Sequence, residues 1–246
     1  MSPARRFALI LAAALLALTL ASCRTASPAP DPPAPETPSP ALTPPPTPTP
    51  SPTPEPTPEA TPEPTPSPPP EVPDEEFVRV ADYIPSIYTE LKYATEDNFT
   101  GGVIYDFTEA YLRYGTVKKL GAAQETLSGQ GYSLLRWDAY RPREAQFALW
   151  EVCPDPVYVA NPVTGNSSHS RGNTVDVTLV TAEGGAVDMP TGFDDFSPLA
   201  DRDYSDVPDM ARENALLLES AMTGAGFEPY WGEWWHYSDS VKYDVP

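Results

Sequence analysis

The sequence is poor in histidine, cysteine and basic residues, and each shortage limits what the protein can be. Its 246 residues include two histidines and two cysteines, Cys23 and Cys153. Two cysteines cannot build the disulfide framework of a small secreted domain, and Cys153 is predicted to be a small buried hydrophobe. There are 15 basic residues against 35 acidic ones, which gives a net charge of −20. Such a surface repels polyanions, so nucleic acid is not an expected partner.

The N-terminus lacks a hydrophobic run long enough to span a bilayer comfortably. Phe7 to Ala21 is almost wholly apolar and follows two arginines, but a spanning helix needs about 20 apolar residues. The pattern predicts a secretory signal. It ends in Leu-Ala-Ser-Cys, which resembles the lipobox of bacterial lipoproteins, whose cysteine receives lipid and becomes the mature N-terminus. The resemblance implies a signal peptide over residues 1–22, lipidation at Cys23, and export to the outer face of the bacterial cytoplasmic membrane. An ordinary signal peptide with an incidental Cys23 is the alternative.

Proline is concentrated in one segment. Of the 34 prolines, 23 lie between Pro28 and Pro73, in repeats of Thr-Pro, Glu-Pro and Ser-Pro. Because proline fixes φ and cannot join a helix or sheet ladder, residues 23–73 are predicted to form an extended linker of polyproline II type. All five tryptophans follow residue 130. Residues 74–246 are therefore predicted to be the single folded domain.

The folded part shows helix and strand patterns in no regular alternation. This mixture predicts an α+β fold with a small mixed or antiparallel sheet and flanking helices, rather than a doubly wound parallel sheet. Apolar spacing, turn residues and β-branched runs give the individual predictions. The predicted helices are 116–128, 142–152 and 210–222, and the predicted strands are 132–140, 175–180 and 227–237.

The two histidines lie in sequences rich in polar or aromatic residues that can take part in chemistry. His169 is followed seven residues later by Asp176, and His236 is preceded three residues earlier by Glu233. Two imidazoles and one carboxylate are the usual ligands of a catalytic zinc, and they leave the fourth position open for water. Glu233 is well placed to act as a base toward that water. A histidine packed against aromatics without any metal is the alternative at each position.

Five motifs together resemble the D-alanyl-D-alanine dipeptidases of the vancomycin-resistance type, within the zinc D,D-peptidase superfamily. The similarity runs from about Tyr88 to Tyr237. The related D,D-carboxypeptidases share the histidine–aspartate and Glu-x-Trp-His motifs, but are not expected to carry the DNFTG segment. The five motifs occur in the order KYAT with DNFTG, WDAYRP, SSHSRGNTVD, GFD and GEWWHY.

The resemblance implies a role for each matching residue. It implies one Zn²⁺ per chain and a D-Ala-D-Ala substrate or a related small peptide. Arg171 is left open between binding the substrate carboxylate and supporting the ligands. For Arg141, a structural ion pair with Asp138 is the alternative. The implied roles are metal binding by His169, Asp176 and His236, general base and acid for Glu233, oxyanion binding by Arg141, ammonium binding by Asp194 rather than Asp195, and pocket lining by Ser167 and Tyr93.

Two other functions stay open from the sequence. One is a D,D-carboxypeptidase that trims peptidoglycan stem peptides, which suits a tethered domain. The other is a non-catalytic peptidoglycan-binding lipoprotein, against which the presence of Glu233 counts. Residues 152–166 form a shorter segment than expected in the resistance enzymes. Since this segment precedes His169, it leaves the breadth of the substrate range open.

Overall fold

The computed structural model of the protein describes residues 69–246. The predicted signal peptide, Cys23 and nearly all of the predicted linker lie outside the described residues. Within residues 69–246, no helix has the length and apolar character needed to cross a membrane.

The described chain mixes short strands with four α-helices. Three short 3-10 turns, Lys92–Ala94, Ser168–Arg171 and Pro198–Ala200, interrupt the loops. The strands are β1 Phe77–Arg79, β2 Tyr88–Thr89, β3 Tyr111–Arg113, β4 Tyr132–Asp138, β5 Thr174–Thr181, β6 Phe227–Pro229 and β7 His236–Asp239. The helices are α1 Val80–Tyr83, α2 Tyr114–Ser128, α3 Arg143–Val152 and α4 Asp209–Gly224.

Two sheets organise these strands. The larger has the order β2-β4-β5-β7-β6, and the smaller pairs β1 with β3. Only the β2–β4 pairing is parallel within the described sheets, and the others are antiparallel. The α+β prediction, with a small mixed sheet and flanking helices, is confirmed.

The central strand β5 is buried on both faces. Val175, Val177 and Leu179 alternate with Asp176 and Thr178, so the two sets point to opposite faces of the sheet. The apolar set belongs to the hydrophobic core. Helix α2 packs against β4, and α4 packs against β5 and β6. The core therefore fixes β5 while its other face remains available for a polar site.

Polar side chains form a row across this sheet. Asp176 in β5 pairs with Asp138 in β4 on one side and with His236 in β7 on the other. Directly paired residues present their side chains on the same face. A β-bulge between Arg136 and Asp138 creates this alignment, because regular pairing from Arg136 would place Trp137 opposite Asp176. The bulge thus directs Asp138 into the row.

The sequence predicted five of the eleven helices and strands in the described part of the chain, with small errors at their ends. The three predicted helices are confirmed as α2, α3 and α4, although Pro142 stands one residue before α3 rather than in its first turn. The strands predicted at 132–140 and 175–180 are confirmed as β4 and β5. Cys153 is part-buried against the core.

The prediction of one strand over residues 227–237 was wrong. Strands β6 and β7 are separate and pair with each other, with Pro229 opposite Tyr237. Residues 230–235 form the connection, in which Trp234 and Trp235 are fully buried. Aromatic density indicated burial correctly, but here the aromatics fill the core from a turn rather than from a continuous strand.

Candidate metal centre

The three predicted ligands meet at the row of polar side chains. His169 comes from the 3-10 turn just before β5, and its Nε2 lies 3.3 Å from Asp176 Oδ2. His236 Nδ1 lies 3.1 Å from Asp176 Oδ1 and 3.4 Å from His169 Nε2. One ligand atom from each residue falls within 4.8 Å of the others. The structure therefore brings together two nitrogens and one carboxylate that are distant in sequence.

Hydrogen bonds orient both imidazoles. His169 Nδ1 lies 2.9 Å from the carbonyl oxygen of Ala139. Because a carbonyl only accepts, this contact assigns the proton to Nδ1 and leaves the lone pair of Nε2 facing the centre. On the other ligand, His236 Nε2 lies 3.4 Å from Ser168 Oγ. Both rings thus present the nitrogen that faces Asp176.

Backbone geometry holds the turn that carries His169. Gly172 ends this turn with φ of 74°, a conformation that side chains disfavour. A Cβ at this position would also clash with the Phe77 ring. Glycine is therefore required here for two reasons, the positive φ and the close approach of β1.

The charges around the site favour a cation. Within the described chain, Asp176 Oδ1 is buried and receives no hydrogen bond, which is costly unless another partner satisfies it. Burial would raise the pKa of Asp176, but the two imidazoles hold it well below its usual range. Burial likewise opposes protonation of His169, yet Asp176 and Asp138 raise the pKa of its imidazole. A metal ion between these atoms would satisfy the orphaned oxygen, so the residues fit one.

A cavity of about 240 Å³ opens on the candidate metal centre. Glu233 lines it, with Oε2 3.5 Å from His236 Nδ1 and 24% of the side chain exposed. Burial raises the pKa of Glu233 to about 7, reinforced by the negative charges of Asp176 and Asp194. A carboxyl group with this pKa can take or give a proton near neutral pH, as a general base and acid must.

Asp194 forms a second acidic point on the cavity wall. Burial raises its pKa to about 7, although the hydrogen bond from Tyr93 works in the opposite direction. The Tyr93 hydroxyl donates to Asp194 Oδ2 at 2.8 Å. Asp194 adopts a positive φ of 54°, which few side chains accept. An acidic group held in a disfavoured backbone conformation at a cavity wall suggests a binding function.

Arg141 contributes a fixed positive charge at the same cavity. Its Nη2 and Nε donate to Asp138 Oδ2 at 2.7 and 3.1 Å, and its Nη1 donates to Gln146 at 2.9 Å. Burial would lower the pKa of Arg141, but Asp138 raises it well above the ordinary value. Arg141 thus forms the ion pair with Asp138 that the sequence left open, and it also lines the cavity.

Comparison with known proteins identifies the family. The family model described as D-ala-D-ala dipeptidase, of the M15 peptidases, matches residues 74–243. The chain belongs to this family. M15 peptidases are metallopeptidases, so this protein is a metal-dependent peptidase with a candidate metal site formed by His169, Asp176 and His236.

Several curated relatives are named D-alanyl-D-alanine dipeptidase. The D-alanyl-D-alanine dipeptidase of Escherichia coli is 41% identical over 66% of this chain and 83% of its own length. The Streptomyces coelicolor enzyme of that name is 34% identical over 66% of this chain and 91% of its own length. The Enterococcus faecium enzyme of that name is 33% identical over 65% and 90%, respectively. The match therefore covers most of each relative.

The other residues implied by the dipeptidase resemblance fall into two groups. Ser167 and Tyr93 line the metal cavity together with Asp194, whereas Asp195 does not line it. Arg171 does not line it either, and its Nη1 donates to the Tyr243 carbonyl oxygen at 2.8 Å. The geometry favours the supporting role over carboxylate binding for Arg171.

Sequence analysis missed one residue that supports the His169 turn. The backbone N–H of Arg113 donates to Gly172, and its Nε donates to the Arg171 carbonyl oxygen, both at 2.9 Å. The same guanidinium stacks over Phe77 at 4.0 Å. Arg113 stands outside every motif of the dipeptidase resemblance, and it contacts the turn only because β3 and β1 fold against it.

Proposed function

We propose that this dipeptidase-family protein hydrolyses the D-alanyl-D-alanine dipeptide to free D-alanine, with one zinc ion per chain. The observation that carries the proposal is the content of a single cavity of about 240 Å³. That cavity holds the candidate metal ligands, a carboxyl group suited to proton transfer, a fixed cation and a separate acidic group. Each has a use in cleaving a small peptide with a free amino terminus.

Zinc is supported by the donor set. Two imidazole nitrogens and one carboxylate oxygen are usual for a catalytic zinc with an open coordination position. Zinc in such a site supplies a Lewis acid that polarises a carbonyl group and makes water more acidic. The residues His169, Asp176 and His236 would hold it. Imidazole also suits other first-row metals, so metal content has to be measured.

Asp194 supplies the basis for choosing a dipeptide. Its carboxylate accepts a hydrogen bond from Tyr93 and can accept a further one from the ammonium of the substrate. In a dipeptide this ammonium belongs to the residue whose carbonyl is attacked. An internal residue of a longer peptide has an amide nitrogen in that place, which is neutral and has no charge to offer Asp194. The cavity wall therefore favours substrates with only one residue before the scissile bond.

Glu233 is assigned the proton transfers. It takes a proton from the attacking water, whose oxygen bonds to the substrate carbonyl carbon, and gives that proton to the leaving nitrogen as the C–N bond breaks. One group can do both because its pKa of about 7 makes both protonation states accessible at neutral pH. Zinc held by His169, Asp176 and His236 would add positive charge beside Glu233, which would favour its basic form before attack.

Arg141 is assigned the negative charge that develops on the carbonyl oxygen. Asp138 and Gln146 fix its guanidinium, so the cation needs little reorganisation when the charge forms. Its guanidinium carbon also lies 5.0 Å from the centre of the Tyr93 ring. Arg141 and Tyr93 therefore pack as one unit, which places the cation in a fixed relation to the tyrosine that holds Asp194.

The other functions considered from the sequence receive less support. A D,D-carboxypeptidase acts on the end of a longer stem peptide, and the preceding residues would have to pass Asp194. A non-catalytic peptidoglycan-binding lipoprotein would have no use for Glu233 beside the candidate metal ligands. Each of these two functions predicts a result different from that of a dipeptidase in the following assay.

The assay uses purified residues 69–246 loaded with zinc. D-Ala-D-Ala, L-Ala-L-Ala and a stem pentapeptide ending in D-Ala-D-Ala are offered at equal concentration. Rapid release of D-alanine from the first substrate alone supports the proposal. Faster cleavage of the pentapeptide identifies a carboxypeptidase, and turnover of none of them despite full zinc occupancy removes the enzymatic function.

We further propose that the protein is lipid-anchored through Cys23 on the outer face of the bacterial cytoplasmic membrane. The lipobox-like sequence and the proline-rich segment after it support this location. An exported enzyme cannot deplete a cytoplasmic dipeptide pool, so its role there would be to recover D-alanine from dipeptides released from the cell wall. Lipid labelling tests the anchor, since Cys23→Ser should abolish labelling, and labelling that persists in this variant would remove the proposal.

A further inference from the structure

A smaller cavity of about 100 Å³ adjoins the metal cavity and is called here the side pocket. Four residues line both spaces, so the two cavities share a wall and adjoin each other. At about 30 Å³ per liquid water, the side pocket has room for roughly three waters, or for a short unbranched chain. The residues common to both spaces are Val157, Tyr158, Tyr230 and Glu233.

The walls of the side pocket combine negative charge with aromatic rings. Asp195 and Glu233 are its acidic residues, and no basic side chain lines it in the part of the chain that the structure describes. Phe196 and Tyr158 stack on each other with ring centres 4.5 Å apart, and Tyr230 is a third aromatic residue in the wall. Acidic groups and aromatic faces both attract a cationic ligand group, and neither favours a ligand group with a carboxylate.

The position of the side pocket indicates which part of the substrate would reach it. Asp194 lines the metal cavity but not the side pocket, whereas Glu233 lines both. In the proposed reaction Asp194 holds the first residue, and Glu233 protonates the nitrogen of the second. The side chain of the second residue therefore starts on the Glu233 side, next to the entrance of the side pocket.

Adjacent aspartates thus serve different spaces. Asp195 Oδ1 accepts a hydrogen bond from the Ser197 backbone N–H at 2.8 Å, which fixes its carboxylate at the wall of the side pocket. Asp194 lines the metal cavity and Asp195 lines the side pocket, so the two neighbouring side chains face different cavities.

We propose that the side pocket is a subsite for the second residue of the dipeptide, and that Asp195 selects side chains ending in an ammonium group. The inference rests on the proposed dipeptidase function and adds a substrate class to it, namely D,D-dipeptides with a basic second residue. Small second residues such as alanine leave the side pocket to solvent and are accepted without its help.

Kinetics with matched substrates test the subsite. D-Ala-D-lysine and D-Ala-D-norleucine have side chains of similar length, but only lysine carries a charge. The zinc-loaded enzyme should show a kcat/KM at least about tenfold higher for D-Ala-D-lysine, because only the lysine ammonium can form a charge-assisted hydrogen bond with Asp195. Asp195→Asn should remove most of this preference and leave kcat/KM for D-Ala-D-Ala unchanged. The asparagine keeps an oxygen for the Ser197 N–H, so the loop is retained.

A matched control separates local contact from general charge. Asp206→Asn removes one exposed acidic group that lines neither cavity, and it should leave the lysine preference intact. Equal kcat/KM for the lysine and norleucine substrates in the wild type, or a preference that survives in Asp195→Asn, would overturn the subsite.

Product binding keeps the test independent of catalysis. Free D-lysine should bind the zinc-loaded protein more tightly than D-norleucine in calorimetry, and Asp195→Asn should equalise the two. If D-Ala-D-Ala is not hydrolysed, the proposed function fails while this comparison still decides the subsite. If D-Ala-D-Ala is hydrolysed but the two amino acids bind equally, the subsite alone fails.

Discussion

Tyr93 and Asp194 stand 101 positions apart in the sequence, and the tyrosine hydroxyl donates a 2.8 Å hydrogen bond to the aspartate carboxylate. The contact orients an acidic group whose backbone already adopts a positive φ. It connects the turn Lys92–Ala94, at the start of the domain, to the loop before α4. The proposed ammonium site therefore exists only after the two halves of the domain have packed together.

Removing the Asp194 charge should weaken substrate binding more than chemistry. Asp194→Asn should raise KM for D-Ala-D-Ala by about 10- to 100-fold, because a hydrogen bond between charged groups contributes about 1.5–3 kcal/mol. The ammonium contact exists in the bound substrate as well as the transition state, so kcat should fall less than kcat/KM. Tyr93→Phe should cause a smaller change in the same direction. Steady-state kinetics measure both, with Asp195→Asn as the control that should leave KM for this substrate unchanged.

Metal binding and proton transfer should separate by mutation. His169→Ala or His236→Ala should remove most of the bound zinc, because two remaining ligands hold the metal poorly. Glu233→Ala should keep zinc close to one per chain while lowering kcat by at least about 10²-fold. Elemental analysis alongside kinetics measures both properties. Should Glu233→Ala lose zinc in proportion to activity, Glu233 is a ligand and the division of roles is incorrect.

Stability of the metal-free protein should depend on pH through Asp194. Burial raises the pKa of Asp194 in the folded protein from 3.8 to about 7, so the folded protein binds this proton more tightly than the unfolded chain does. Its stabilising contribution is complete below about pH 4 and is lost as the pH rises through 7. The unfolding free energy of Asp194→Asn minus that of the wild type should therefore increase by at least about 1 kcal/mol from pH 5 to pH 8. Urea unfolding in the presence of a chelator measures this difference at each pH. The same difference at pH 5 and pH 8 would contradict the prediction.

Arg113 should influence zinc affinity although it does not line the metal cavity. Its side-chain Nε donates to the Arg171 carbonyl oxygen in the turn that carries His169, and loss of a contact that supports a ligand typically weakens metal binding by about 10- to 100-fold. The hydrogen bond to Gly172 comes from the Arg113 backbone N–H and is retained on substitution. Arg113→Ala should raise the zinc Kd by about tenfold, as measured by competition with a chelator. Arg113→Lys should recover little of this, because lysine lacks the planar fork of donors.

A surface arginine provides the control for this effect. Arg212 pairs with Asp209 on the exposed side of α4, so Arg212→Ala should leave zinc affinity unchanged. If Arg113→Ala lowers the melting temperature but binds zinc as tightly as the wild type, the residue supports the fold and not the His169 turn.

Local patterns in the sequence predicted α2, α3, α4, β4 and β5, and they indicated candidate metal ligands and a candidate base. Apolar spacing with glycine stops predicted α2 and α4, and β-branched residues predicted β5, because these signals come from neighbours along the chain. The paired histidine motifs indicated the ligand set, since only two histidines are present. The single strand predicted over residues 227–237 failed because a turn that buries two tryptophans has the same composition as a buried strand.

Contacts between distant segments were decided only by the tertiary structure. The bulge in β4 that places Asp138 opposite Asp176 depends on strand register, which no local pattern specifies. Which of the neighbours Asp194 and Asp195 lines the metal cavity is likewise seen only in the folded chain, where Asp194 lines it and Asp195 does not. The support of the His169 turn by Arg113 depends on β1 and β3 packing against it. The sequence determined which groups are available, and long-range packing determined which of them meet, because the separations between side chains are set by the whole core.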